Sequence, residues 1–137
     1  MPKKIMIVDG QGGNIGRQLA KMIVESLPEA ELFAVGTNSI ATSNMLKGGV
    51  KNAATGENAV IVGSRRADVI VGPVGIVIAD ALMGEVTPDM AQAVEQSDAV
   101  RVLIPMNRCE TLIAGVGNTS TAELLEDALA KIKQAIS

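Results

Sequence analysis

Residues 5–16 read IMIVDGQGGNIG, and this stretch decides the predicted fold. The first four residues form a short, uninterrupted apolar run, which is typical of a strand buried on both faces. Asp9 ends the run, and glycines follow at positions 10, 12, 13 and 16. Apolar residues then recur with helical spacing as far as Leu27. The order strand, glycine turn, helix is the context in which such a turn indicates a ligand site.

The glycine turn is predicted to bind a phosphate or a nucleotide. Glycines let the backbone turn sharply and let a phosphate approach the main chain, and the free N–H groups at the start of a helix favour an anion. The alternative is a turn that only permits tight packing of the strand against the helix. The predicted binding residues here are Gly10, Gln11, Gly12, Gly13, Asn14, Ile15 and Gly16.

Composition bounds the class of protein. The chain has 137 residues, of which 47% are hydrophobic, and this suits one globular domain over residues 1–137. Phe33 is the only aromatic residue and the net charge is −3, so nucleic acid is not an expected partner. No leader peptide or membrane span is expected, and the single cysteine excludes an internal disulfide. A cytoplasmic protein is the default expectation.

Missing residue types exclude several chemistries. The chain contains no histidine, which excludes Ser-His-Asp and Cys-His catalysis and zinc bound by histidine, and we expect no metal site. It contains no tyrosine, so the Tyr-Lys proton donor of short-chain dehydrogenases is absent. Acid–base chemistry would therefore fall to carboxylates, lysine or Cys109.

Strand-like and helix-like segments alternate along the chain. This alternation predicts a Rossmann-like, three-layer α/β domain with a mostly parallel sheet of five to six strands in the order 3-2-1-4-5. Residues 52–58 are predicted to be a polar loop, and residues 76–83 an apolar, helix-like segment. The predicted strands are residues 5–8, 31–35, 59–62, 68–71 and 100–104, with a sixth at the edge over residues 112–116.

A second glycine turn follows the fourth predicted strand and contains Gly72, Pro73 and Gly75. In the expected strand order the first and fourth strands are neighbours at the switch point, where ligands bind between the loops. The two turns therefore support one another as a ligand site. The alternative for this second turn is tight packing, with the proline fixing its shape.

The end of the second predicted strand lacks the acid that usually binds a ribose hydroxyl in dinucleotide folds. Thr37 and Asn38 lie there instead, which puts ordinary NAD recognition in doubt. These side chains could bind a phosphate or sugar. They could equally cap the next helix, with Asn38 or Ser39 at the N-cap.

Reactive groups are densest after the fifth predicted strand, in Asn107, Arg108, Cys109 and Glu110. An arginine can bind a phosphate or carboxylate bidentately, and a cysteine beside it can become a nucleophile if its pKa is lowered. Asn107 is a candidate binding residue, and Asp9, Arg108 and Cys109 are the candidate catalytic residues. The alternative is a buried, inert cysteine beside a surface ion pair.

The segments VDGQGGNIG, GTNSIATSNML, ATGENA, GPVGIVIADALMGEVTPDMA and IPMNRC together resemble an uncharacterised bacterial family of short proteins, domain of unknown function 3842. The resemblance covers nearly the whole chain and implies a cytoplasmic protein with a Rossmann-like fold. It implies no activity, substrate or catalytic residue. A looser resemblance, through Gly10, Gly13 and Gly16, links the first turn to dehydrogenase-type nucleotide folds.

Three functions compete at this point. The first is a binding or regulatory module for a nucleotide, such as NAD(P), or a phosphorylated metabolite, acting as a homo-oligomer whose partner completes the cleft. The second is a small reductase or transferase that uses Asp9, Arg108 and Cys109. The third is a structural or interaction protein without a ligand. Residues 76–83 and 112–116 are the predicted subunit interface.

Overall fold

A computed structural model of the protein describes residues 1–106 and 111–137. A five-stranded, all-parallel sheet forms the centre of the protein. The strand order is β3-β2-β1-β4-β5, which confirms the predicted order. The strands are β1 (Lys4–Asp9), β2 (Glu31–Gly36), β3 (Asn52–Thr55), β4 (Val69–Pro73) and β5 (Val100–Ile104).

Helices cover both faces of this sheet and make the three layers. Strand β1 alternates its side chains between the two faces: Ile5 and Ile7 enter one hydrophobic cluster, and Met6 and Val8 enter the other. All four side chains are almost completely buried, as the uninterrupted apolar run predicted. The helices are α1 (Asn14–Ser26), α2 (Ser39–Lys47), α3 (Glu57–Arg66), α4 (Pro88–Glu95) and α5 (Thr121–Ile136), with a short 3-10 helix at Val74–Val77.

The third strand is not where the sequence predicted it. Residues 59–62 (AVIV) lie inside helix α3, where Val60 and Gly63 face the core at helical spacing. The pairing strand is β3, within the segment predicted to be a polar loop. A short apolar run cannot be told from a buried helical turn by its pattern alone. An exposed edge strand such as β3 has almost no apolar signal.

Two further predicted elements are absent from the described structure. Residues 112–116 form no strand, so the described sheet has five strands rather than six. Residues 76–83 continue from the 3-10 helix into consecutive turns instead of an α-helix. Asp80, Leu82 and Met83 have φ values of 66°, 57° and 57°, and such left-handed backbone ends a right-handed helix.

Parallel pairing brings the carboxyl ends of the strands to one edge of the sheet. Asp9 at the end of β1 pairs with Gly36 at the end of β2, and the end of β4 reaches the same edge. Both glycine-containing segments therefore leave the sheet on the side where ligands bind in such folds. Within the described chain, no helix has the length and hydrophobicity needed to cross a bilayer.

Substituting Ile70 by Ala should destabilise the protein by about 2–5 kcal/mol, because the side chain is fully buried in strand β4 and its loss leaves a cavity. Urea denaturation followed by circular dichroism measures this change. Val100→Ala on the edge strand, where the side chain is 51% exposed, should change the free energy of unfolding by no more than about 0.5 kcal/mol. Equal effects of the two substitutions would contradict the layered core.

Candidate functional site

The Asp9 carboxylate joins the two ends of the first glycine turn by hydrogen bonds. Its Oδ1 accepts a hydrogen bond from the Gly10 N–H at 2.8 Å, and its Oδ2 accepts one from the Gly16 N–H at 2.7 Å. The side chain is 5% exposed, so these charge-assisted bonds lie out of bulk water. One buried carboxylate thus joins the end of β1 to the first turn of α1 and fixes the shape of the loop between them.

The start of helix α1 presents unsatisfied backbone donors. Gly13, at the N-cap, has φ 75°, and a Cβ there would press against the backbone of Ala41, so only glycine suits this position. The Asp9 side chain accepts the Gly16 N–H in the first turn of the helix. The N–H groups of Asn14 and Ile15 have no intrahelical acceptor and no acceptor among the described residues, so they can meet a ligand.

A cavity of about 560 Å³ opens between the two glycine-containing segments. This size falls in the usual range for small-molecule sites, about 300–1,000 Å³. One wall is the first turn and the start of α1, and the other is the chain after β4. The described lining residues are Asp9, Gly10, Gln11, Gly12, Gly13, Asn14, Ile15, Pro73, Val74, Gly75, Ile78, Ala79, Asp80, Ala81, Leu82, Met83, Met106 and Thr111.

The structure brings together most, but not all, of the predicted site residues. Residues 10–15 line the cavity with Pro73, Gly75 and Asp9. Gly16, Thr37, Asn38 and Gly72 are not among its lining residues. The predicted residues Asn107, Arg108 and Cys109, with the neighbouring Glu110, lie outside the described residues. The roles predicted for them, and the catalytic role of Asp9, therefore stay predictions.

Gly72 belongs to strand β4 and not to the turn in which the sequence placed it. A Cβ on Gly72 would collide with the carbonyl oxygen of Val8 on the neighbouring strand. Its lack of a side chain therefore serves the close approach of β1 and β4. Pro73 also pairs within the sheet, opposite Ile104, so the turn itself starts at Val74.

Asn38 is the N-cap of helix α2, which settles between the two capping residues considered. Its Oδ1 accepts a hydrogen bond from the Ala41 N–H at 2.9 Å. Its Nδ2 also donates to the Gln11 carbonyl oxygen at 2.9 Å and to Glu85 Oε1 at 2.7 Å. One amide therefore caps a helix and fixes the glycine turn at the same time.

Glu85 is the residue that sequence reasoning missed. Its Oε1 accepts hydrogen bonds from the Gln11 N–H at 2.9 Å, from Thr37 Oγ1 at 2.6 Å and from Asn38 Nδ2. The carboxylate therefore lies between the glycine turn and the end of β2, where dinucleotide folds carry an acid. Glu85 comes 48 residues after Thr37, and no local pattern connects the two.

The chain segment that delivers Glu85 folds across the glycine turn, and we call residues 78–86 the strap. Left-handed backbone at Asp80, Leu82, Met83 and Gly84 turns it tightly, and Val86 at its end is fully buried. The Asp80 N–H donates to the Val86 carbonyl oxygen at 2.7 Å, which closes the strap on itself. A non-glycine residue with left-handed backbone costs conformational free energy, so it persists only where the surrounding structure holds it.

The electrostatics of Glu85 favour its charged form. Burial by itself would raise the pKa of the Glu85 carboxyl, but hydrogen bonds from Thr37, the Gln11 N–H and Asn38 outweigh it and lower the pKa below its ordinary value. Glu85 is therefore a carboxylate at neutral pH, and its negative charge lies directly against the glycine turn.

Comparison with known families identifies one family. A family model described as Domain of unknown function (DUF3842) matches residues 4–137. The chain belongs to this family. No curated protein matches it.

Replacing Glu85 by Gln should lower the melting temperature at neutral pH, because a neutral amide accepts weaker hydrogen bonds than a carboxylate. The folded pKa of Glu85 lies below its unfolded value of about 4.3. Its ionised form therefore stabilises the protein above that pH, and the contribution is lost as the pH falls through the folded pKa.

Melting curves of the wild type and Glu85→Gln at several pH values measure this contribution. The difference between them should shrink as the pH falls below about 4.3. Glu126→Gln, on the exposed face of α5, is the matched control and should track the wild type. A Glu85→Gln difference that stays constant over this pH range would contradict the assigned hydrogen bonds.

Proposed function

We propose that this protein binds a small phosphate-bearing molecule, a nucleotide or a phosphorylated metabolite, at the first glycine turn. The single observation that carries the proposal is the cavity between the start of α1 and the chain after β4. It lies at the carboxyl edge of the sheet, between β1 and β4, where the strand order reverses. Open α/β sheets bind their ligands at this switch point.

The chemistry of the cavity walls suits such a ligand. The N–H groups of Asn14 and Ile15, with the helix dipole behind them, favour a phosphate at one end. Ile15, Val74 and Ile78 give apolar walls, against which a base or another flat, weakly polar body can pack. The ligand is therefore expected to have one anionic end and one less polar end.

Charge neutralisation by side chains is small in the described part of the cavity. The lining includes Asp9 and Asp80 but neither lysine nor arginine among the described residues. Backbone donors and the helix dipole would therefore meet most of the phosphate's charge. Arg108, predicted from the sequence as a phosphate-binding residue, is the cation that we propose to complete the site.

Thermal-shift measurements with inorganic phosphate, AMP, ADP, ATP, nicotinamide mononucleotide, NAD and NADP test the proposal. A specific ligand raises the melting temperature by mass action. At a free ligand concentration of one hundred times its Kd, it increases the free energy of unfolding by about 2.7 kcal/mol. At least one phosphate compound should do so, while its unphosphorylated counterpart should not. The assay needs an extrinsic dye, because the chain has no tryptophan or tyrosine.

Substituting Gly12 by Ala should abolish the ligand-induced shift and leave the fold intact. A Cβ at Gly12 would lie 4.0 Å from Asn14 Nδ2, so the folded protein accommodates it. Because Gly12 lines the cavity, we expect the added methyl group to obstruct a phosphate at the helix start. Gly117→Ala, at a glycine with no neighbouring atom within 4 Å of the added Cβ, is the matched control outside the described lining. It should keep the full shift.

Two results would contradict the proposal. One is the absence of any shift across the whole panel, and the other is an equal ligand-induced shift in wild type and Gly12→Ala. Purified protein offers an independent check, because it absorbs little at 280 nm without tryptophan or tyrosine. A band at 260 nm, with mass spectrometry of the denatured supernatant, would reveal a nucleotide that co-purifies.

A further inference from the structure

The two sides of the glycine turn differ sharply in this protein. A dinucleotide in a Rossmann fold places its pyrophosphate over the turn, one nucleoside towards the end of the second strand, and the other across the switch point. It therefore needs open space on both sides. The cavity lies on the β4 side, where strap residues 78–83 line it, and Glu85, near the end of the strap, occupies the β2 side.

Glu85 fills the space at the end of β2. Its hydrogen bonds to the Gln11 N–H, Thr37 and Asn38 use the donors that a ribose or phosphate would otherwise meet there. The space above Gly10 is filled as well. A Cβ placed on Gly10 would lie 2.8 Å from Leu82 Cδ1 and 3.0 Å from Glu85 Oε1, which is inside ordinary contact distance.

Among the described residues, the opposite side of the turn is open. The cavity runs from Gly12 and the start of α1 to Gly75 and Ile78. Thr37, Asn38 and Glu85 are not among its lining residues, so the cavity extends to one side of the turn. A ligand whose phosphate sits over the helix start can extend its remaining part only towards β4.

On the β2 side the charge of Glu85 acts together with its shape, although Asp9 and Asp80 also line the cavity on the other side. A carboxylate held against the turn at Gln11 repels a second phosphate on the β2 side. The donors at Asn14 and Ile15, on the cavity side, attract one. The two phosphates of a dinucleotide cannot both avoid Glu85 if its second nucleoside is to reach the end of β2.

We infer that this site takes a phosphate ester of mononucleotide size and excludes dinucleotides, and that Glu85, through the strap, is the residue that sets this specificity. The inference rests on the proposed function and narrows its ligand class. It assigns to Glu85 the opposite role from the acid of dinucleotide folds. That acid accepts a hydrogen bond from the ribose hydroxyl, whereas Glu85 excludes the ribose from the end of β2.

Binding of AMP, nicotinamide mononucleotide and NAD to the wild type, Glu85→Ala and Glu126→Ala tests this role by isothermal titration and thermal shift. In the wild type, at least one mononucleotide should bind, and NAD should bind more weakly than that mononucleotide. Glu85→Ala removes the carboxylate and loosens the strap. It should improve NAD affinity relative to that mononucleotide by about tenfold or more, and Glu126→Ala should leave the ratio unchanged.

Thr37→Val is the second variant, in case Glu85→Ala does not fold. It keeps the side-chain shape but removes the donor at 2.6 Å from Glu85 Oε1, so it should move the same ratio in the same direction by a smaller factor. A wild type that binds NAD as tightly as, or more tightly than, both mononucleotides would overturn the inference. So would a Glu85→Ala variant with weakened NAD binding, because Glu85 would then be a ribose acceptor.

These failures differ from failure of the proposed function. If inorganic phosphate, both mononucleotides and NAD all fail to bind the wild type and the Glu85→Ala variant, there is no phosphate site, and the specificity of Glu85 falls with it. If NAD binds the wild type most tightly, the phosphate site stands and only the role of Glu85 is wrong.

Discussion

The buried carboxylate of Asp9 is the interaction on which the site depends. It joins the Gly10 N–H to the Gly16 N–H, and so it ties the end of the central strand to the first turn of α1. Without a residue there to accept both bonds, two buried donors would be unsatisfied and the two ends of the turn would lose their common acceptor. The helix start and the cavity wall both follow from this closure.

The second constraint on the site comes from far along the chain. Glu85 accepts a hydrogen bond from the same turn whose two ends Asp9 joins, and it lies on the outer side of that turn. One acid shapes the loop, and the other covers its β2 side through Gln11, Thr37 and Asn38. Both carboxylates are held by hydrogen-bond donors, and the residues at the start of α1, Asn14 and Ile15, line the cavity with the chain after β4. The polarity of the site is thus set by which N–H groups are already occupied.

Sequence reasoning succeeded where burial leaves a mark on composition. Strand β1 is apolar on both faces because both faces are covered, and the same holds for β4. It failed at β3, because an edge strand with exposed side chains has no apolar run. It also failed at residues 59–62, because a buried helical turn can have the same short apolar run as a buried strand. Residues 76–83 were predicted to be helix-like because they are mostly apolar, and no local pattern predicted the left-handed backbone of Asp80, Leu82 and Met83.

The amino-acid sequence by itself determined the α/β class, the buried strands β1 and β4, and the position of the first glycine turn. These follow from local patterns: apolar runs, glycines and the spacing of buried residues along one helix. Only the tertiary structure decided which side of that turn is open. That depends on Glu85 meeting Gln11, Thr37 and Asn38 across 47 or more residues, and a hydrogen bond between distant segments exists only after the sheet has brought their ends together.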